Sequence, residues 1–155
     1  MEGGSCYTPA IEGMEMVGKV TALFTKPGSG QPMKQSESLQ LIAGKGIDGD
    51  DSYGRKHRQV LFVDKAILDQ FDLSPGDLRE NITVTGIDLK AVSARSRISI
   101  GKTELLVQGE CTPCSKMDEI RPGLQDALRE QRGILASVTT NGRIHVGDPV
   151  VISPP

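Results

Sequence analysis

The sequence predicts a mainly β protein, a mixed-strand β-barrel with a few short helices. Three observations carry that expectation. Eighteen glycines and nine prolines fall between short apolar runs, as when many strands are joined by tight turns. Those runs are rich in Val, Ile and Leu. The dipeptide Asn141-Gly142, set between two β-rich runs, is the strongest hairpin signal in the chain. At 155 residues the chain suits one domain with a sizeable core rather than two. The expected division is a loose lead-in over residues 1–13 and a single barrel domain over 14–155.

Taken in order, "MVGKVTALF" (Met16 to Phe24) mixes apolar and β-branched residues and reads as a strand. "KPGSGQPMKQSE" is a polar loop by composition. "LQLIAGKGIDGDDSYGRKHR" begins as a short strand and becomes a charged loop with four glycines, of a length that usually marks function. "QVLFVD" (Gln59 to Asp64) is a continuous apolar run and fits a buried strand. Asp64 can cap a short helix through Phe71, with Ile67, Leu68 and Phe71 at helical spacing. A Pro-Gly-Asp turn then precedes a strand around Ile82 to Thr85, and two strands flank Gly101-Lys102. "RPGLQDALREQ" reads as a helix, with Leu124 and Leu128 at i,i+4. The last stretch, "GILASVTTNGRIHVGDPVVI", reads as strands about the Asn-Gly turn.

Composition excludes several classes. A net charge of −2 with a pI of about 5.7 lacks the basic excess of a general nucleic-acid binder. Aromatics at 3% and the absence of Trp leave few surfaces for stacking bases. No run of about 18 apolar residues exists to span a membrane, and no basic segment followed by an apolar stretch marks a secretory signal. Three cysteines are an odd count for a disulfide scaffold. The expectation is a cytoplasmic protein with neither nucleic acid nor membrane as partner.

The chemistry concentrates in "GECTPCSKMDEI" (Gly109 to Ile120). Thr112 is a good N-cap and Pro113 suits a first helical position, which would put Cys114 in the first turn of a short helix. Free N–H groups there favour a thiolate and lower its pKa from about 8.5. The alternative is that both cysteines are small core residues. A thioredoxin-like pair would follow an early strand in a βαβ setting, whereas this one lies late among β-runs. Structural zinc needs four ligands, and Cys6, His57 and His145 are scattered without ligand spacing. Cys6 falls in the lead-in and receives no role.

"GIDGD" (Gly46 to Asp50), "RQVLFVD", "SPGDLRENITVTGIDL", "ISIG" ahead of the cysteine pair, and "GILASVTTNGRIHVGDPVVI" occur in that order. Together they resemble the MOSC domain, the molybdenum-cofactor sulfurase C-terminal domain, in its small stand-alone form, from about Val17 to Ile152. The resemblance implies a mixed-strand (PK-barrel-like) barrel and maps the hallmark cysteine onto Cys114 at the barrel rim. There it would carry sulfur or ligate molybdenum, both of which suit a soft thiolate. The implied cofactor is molybdenum cofactor (molybdopterin). The implied partners are a cysteine desulfurase-type sulfur donor and a molybdoenzyme or cofactor-biosynthesis acceptor. Pyridoxal phosphate binding is associated with the family, but desulfuration of cysteine needs a pyridoxal-phosphate lysine in a larger fold, so sulfur would come from a partner. Two other readings stay open: a molybdenum-dependent oxidoreductase using an external electron donor, and a non-catalytic module docking on a cofactor enzyme. Whether the chain is itself an enzyme, for sulfur transfer or molybdenum-dependent catalysis, is open at this level.

An anionic cofactor also needs cations. "GRKHRQ" offers Arg55, Lys56, His57 and Arg58 at the end of the glycine-rich loop, with Arg58 favoured and a solvated charge run as the plain alternative. The family's Arg-x-Asn pattern falls on Arg79 and Asn81. Arg79 could clamp a phosphate or carboxylate bidentately, and Asn81 could pin a pterin edge or else organise backbone turns. His57 could move protons near neutral pH. Asp48 and Asp50 lack calcium-loop spacing and read as turn residues, with Gly46 and Gly49 supplying positive φ. His145 reads as structural. Arg121 and Arg132 flank the segment after the cysteines, their directions unfixed by sequence.

Overall fold

A computed structural model describes residues 15–155; the expected lead-in, and Cys6 with it, lie outside the described residues. Eleven strands form in chain order: β1 (Met16–Thr25), β2 (Lys34–Ser36), β3 (Ser38–Ile42), β4 (Gly46–Ile47), β5 (Val60–Asp64), β6 (Ile82–Thr85), β7 (Arg97–Ile100), β8 (Thr103–Glu110), β9 (Ile134–Thr140), β10 (Gly142–His145) and β11 (Pro149–Ser153). Helix α1 (Lys65–Gln70) follows β5, and α2 (Lys116–Ile120) and α3 (Leu124–Ala127) lie between β8 and β9.

Seven strands close a barrel in the order β11-β7-β8-β9-β5-β6-β1, with β1 returning to β11. The barrel is mixed because β5 and β6 run parallel, which requires a crossover; α1 is part of it. Asp64 caps α1 as expected, accepting from the Ala66 amide at 2.9 Å. β1 is long enough to serve both neighbours. Met16–Lys19 pairs with β11, and the strand pairs with β6 from Lys19 onward, with a bulge between Val20 and Ala22. A bulge bends a strand and increases its twist, which suits closure. β2 extends β1 outside the ring, and β10, β3 and β4 form a small second sheet.

Period-two alternation on β5 divides the apolar residues into two cores. Val60 and Phe62 join the aliphatic barrel interior with Val20, Leu105, Ile134 and Ala136. Leu61 and Val63 point outward, to a second cluster made with Leu68, Leu78, Met117, Leu124, Leu128, Leu135 and Cys111. The helices therefore pack on the outside of the barrel wall. Among the described residues no helix is long and apolar enough to cross a membrane.

Three local expectations need correction. The Asn141-Gly142 pair is not a hairpin turn: β9 pairs with β5 and β8, whereas β10 pairs with β3. Asn141 marks a change of sheet, its Oδ1 accepting from the Ala43 amide at 2.6 Å. Gly142 is needed for close approach, since a Cβ there would lie 2.0 Å from Thr103 Oγ1. The helix expected across Arg121–Gln131 is shortened to α3, because Gly123 takes a left-handed φ of 86° after Pro122. Leu124 and Leu128 are nevertheless both buried, as their i,i+4 spacing predicts. Finally, Thr112 does not cap a helix and Pro113 does not begin one, since α2 starts at Lys116 with Ser115 at its N-cap.

Candidate functional site

Strand β8 ends at Glu110, and the chain then turns across the outer wall of the barrel. The Cys111 amide donates to the Gly133 carbonyl at 2.8 Å, fixing the segment against the start of β9. Gly133 has φ 154°, and a Cβ there would lie 2.2 Å from the Phe62 carbonyl oxygen, so this approach needs glycine. Cys111 is 2% exposed and belongs to the outer apolar cluster. Cys114 is half-buried at the edge of that cluster. The expected rim position is thereby refined. Both cysteines line a recess on the outer wall, with Leu61 and Leu135 beside them.

The short helix does not present its amide end to the Cys114 sulfur. It is the Cys114 carbonyl that meets the first turn, accepting from the Met117 amide at 2.9 Å, and Asp118 and Glu119 already occupy that turn. The electrostatics come instead from side chains. The recess, about 250 Å³, is lined by Lys26, Arg55, Arg58, Arg79, Lys116 and Arg132. Asp51 is the carboxylate lining it, and among the described residues none of the six cations forms a salt bridge. Arg132 is 7% exposed. It donates from Nη1 to Cys111 Sγ at 3.4 Å and from Nη2 to the Leu78 carbonyl at 2.9 Å, and its Nε has no partner. Arg58 Nη2 reaches the same sulfur at 4.0 Å. Burial holds the Lys26 ammonium below its ordinary pKa, with Asp50 opposing that shift and Arg79, Arg55 and Arg132 adding to it.

Asn81 is placed in the recess wall, and its side chain is already committed. It is 1% exposed; Oδ1 accepts from the Leu61 amide at 3.0 Å, and Nδ2 donates to the Phe24 carbonyl at 3.2 Å and to Asp50 Oδ1 at 3.0 Å. Both amide donors are used, so Asn81 braces β1, β5 and the acidic loop. Of the two roles its position allows, these bonds serve the organising of backbone. Asp50 is more than a turn residue. It is buried, accepts from the Lys26 amide at 2.7 Å, and bonds the Ser52 amide at 3.0 Å through its other oxygen. Gly46 and Gly49 do take positive φ, 112° and 88°.

Of the expected anion ligands, Arg55, Arg58 and Arg79 line the recess and His57 does not. His57 is exposed, its Nδ1 3.1 Å from Gln108 Nε2. Arg58 and Arg79 both hold φ at 61°, a region that costs a non-glycine residue about 1–2 kcal/mol. Strain of that kind gathers where geometry serves function. Arg79 Nη1 also donates to the Gln31 carbonyl at 2.9 Å. Arg132 turns into the recess, while Arg121 turns away to the Phe71 carbonyl at 2.6 Å. Lys26 and Lys116 carried no motif; their signal is a cation at the end of an apolar strand and one two residues after a cysteine. His145 is exposed, 3.7 Å from Asp148.

A wider groove of about 560 Å³ opens from the recess, sharing Gly30, Arg79 and Lys116 and walled by Phe24, Met33, Pro75, Met117 and Ile120. A separate cavity of about 310 Å³ lies by Ile67, Leu89 and Ile134; its lining includes Asp64, Glu110 and Glu130 but no cysteine. Among the described residues no group of three or more His, Cys, Asp or Glu is placed to hold a metal ion.

The family model of the MOSC domain matches residues 51–151. The YuaD protein of Bacillus subtilis is similar in structure, with a TM-score of 0.76 and 25% identity over 92% of this chain and 99% of that one. The fold is also that of YiiM from Escherichia coli (TM-score 0.66, 16% identity, 88% of this chain and 70% of that one). YiiM from Geobacillus stearothermophilus shares it too (0.63, 15%, 88% and 73%). No curated protein matches the chain.

Proposed function

Because this chain belongs to the MOSC domain family, we propose that it carries sulfur on Cys114 in the handling of molybdenum cofactor. The observation that supports this reading best is the convergence of Cys114 and six cations on one recess. Cys114 is the more exposed sulfur of the pair and the one we assign to a partner; Cys111 is 2% exposed. The Cys114 thiolate is the form that accepts sulfane sulfur or binds a soft metal.

The donor set fits molybdenum cofactor. Arg58, Arg79 and Lys116 would hold its phosphate, the groove beyond them would take its ring system, and Cys114 would be the single protein ligand for the metal. When bound, the cofactor supplies a redox-active, sulfur-accepting metal. The chain's own residues hold the anionic end, exclude water on the Leu61–Leu135 side and present the thiol.

Incubation with a cysteine desulfurase and cysteine should add one sulfur to Cys114, removable by a thiol reductant and detectable in the intact mass. Cys114→Ala should stay unloaded, and Cys111→Ser should still load. Loading that persists in Cys114→Ala would contradict the assignment.

A further inference from the structure

The charge around Cys114 exceeds what a protein-borne persulfide would need. A donor protein presents one terminal sulfur carrying at most one negative charge. The recess offers Lys26, Arg55, Arg58, Arg79, Lys116 and Arg132 against the one lining carboxylate, Asp51. Arg132 is the most telling of them. It is nine-tenths buried, has an unpartnered Nε, and meets a cysteine sulfur where a buried guanidinium usually meets a carboxylate. A desolvated guanidinium without a counter-ion is costly unless an anion completes it. The recess is small, about 250 Å³, and suits a compact, multiply charged oxyanion.

We infer that Cys114 accepts sulfur directly from a small sulfane-bearing oxyanion of the thiosulfate class, making the chain a sulfurtransferase in its own right. The inference rests on the sulfur-carrier reading and names its donor. The thiol proton leaves to solvent, and the Cys114 thiolate attacks the outer, sulfane sulfur of thiosulfate. A sulfur–sulfur bond forms at Cys114 as the one within thiosulfate breaks, and sulfite departs with the electron pair. Cys114 is left as a persulfide; no external oxidant or reductant is consumed. The guanidinium and ammonium groups hold the sulfonate end and stabilise sulfite as it gains charge.

The test uses the full chain with thiosulfate as donor and cyanide as acceptor, reading sulfite and thiocyanate, together with the intact mass after thiosulfate alone. Sulfite should be released as Cys114 gains one sulfur, and Cys114→Ala should release none. Arg79→Gln and Lys116→Gln should each raise KM for thiosulfate by about tenfold, with a smaller fall in kcat. These two positions are used because Arg132 also bonds the Leu78 carbonyl and its loss could unfold the site. Inorganic phosphate should compete with thiosulfate. If the chain loads from a cysteine desulfurase but releases no sulfite from thiosulfate, this inference is overturned and the carrier reading stands. If it loads from neither, both fall. An unchanged KM in both variants overturns the role given to the cations.

Discussion

Asn81 shows what a single side chain contributes to the site without touching a ligand. Its two donors and its acceptor tie together Phe24, Asp50 and Leu61, residues from the strand and loop that carry Lys26 and the acidic turn. Asn81→Ala should cost about 2–4 kcal/mol, since buried partners are left unsatisfied; urea unfolding measures it. Arg58 makes the opposite case. It is exposed with φ at 61°, so Arg58→Gly should stabilise the fold by about 0.5 kcal/mol, strain relief outweighing glycine's added chain entropy. The same change should weaken oxyanion binding, measurable by calorimetry with sulfate. Arg58 and Arg79 were legible in the sequence because each sits beside a recognisable strand. Sequence alone gives Arg132 no direction, and Lys26 and Lys116 carry no motif. Their role depends on contacts across long stretches of chain, such as Arg132 with Cys111 and Leu78, and no local pattern encodes those.

At the scale of elements, the approach of β9 to β5 places the cysteines. Gly133 permits it, and Gly133→Ala would drive a Cβ to 2.2 Å from the Phe62 carbonyl oxygen. That change should destabilise by about 3 kcal/mol, read as a lowered Tm, and should abolish sulfur loading in whatever folded protein remains, because the Cys111 amide loses its anchor. The strands were readable because apolar runs such as "QVLFVD" are bounded by turn residues. Two kinds of element were not. The Asn-Gly signal predicts a turn but cannot say which sheet the next strand joins, and Gly142 proved to serve packing against Thr103. The start of α2 was misplaced because Thr112-Pro113 carries a start signal that tertiary contacts override, the Cys111 amide being held by Gly133.

Over the whole molecule, stability should respond to pH through its buried carboxyls. Glu80 is fully buried; Gly76 and Thr83 donate to its Oε2 at 2.9 and 2.8 Å, and Oε1 has no partner. Burial raises its pKa, the hydrogen bonds only partly opposing this, and burial likewise raises that of Asp64. Both groups therefore bind protons more tightly in the folded state. Their contribution favours folding below the raised values and falls away as pH climbs from about 4 through them. Urea unfolding across that range should show a loss of stability with rising pH that is smaller in Glu80→Gln than in the parent chain. An equal slope in the two would remove Glu80 from the explanation. The overall architecture was the most legible feature, since closure into a barrel follows from many short strands and long-range order in the motifs. The division into an inner core and an outer cluster under the helices was not, because a continuous apolar run looks the same whether one face or two are covered.

All of this turns on Cys114 being the more exposed sulfur of the pair, in a recess that six cations line. Alkylation of the native chain with iodoacetamide, mapped by mass spectrometry with and without added sulfate, tests that most directly. Cys114 should be modified and Cys111 spared, and sulfate should slow the reaction in the parent chain but much less in Arg79→Gln. Equal labelling of the two cysteines, or a Cys114 rate that sulfate leaves unchanged in the parent chain, would contradict the account.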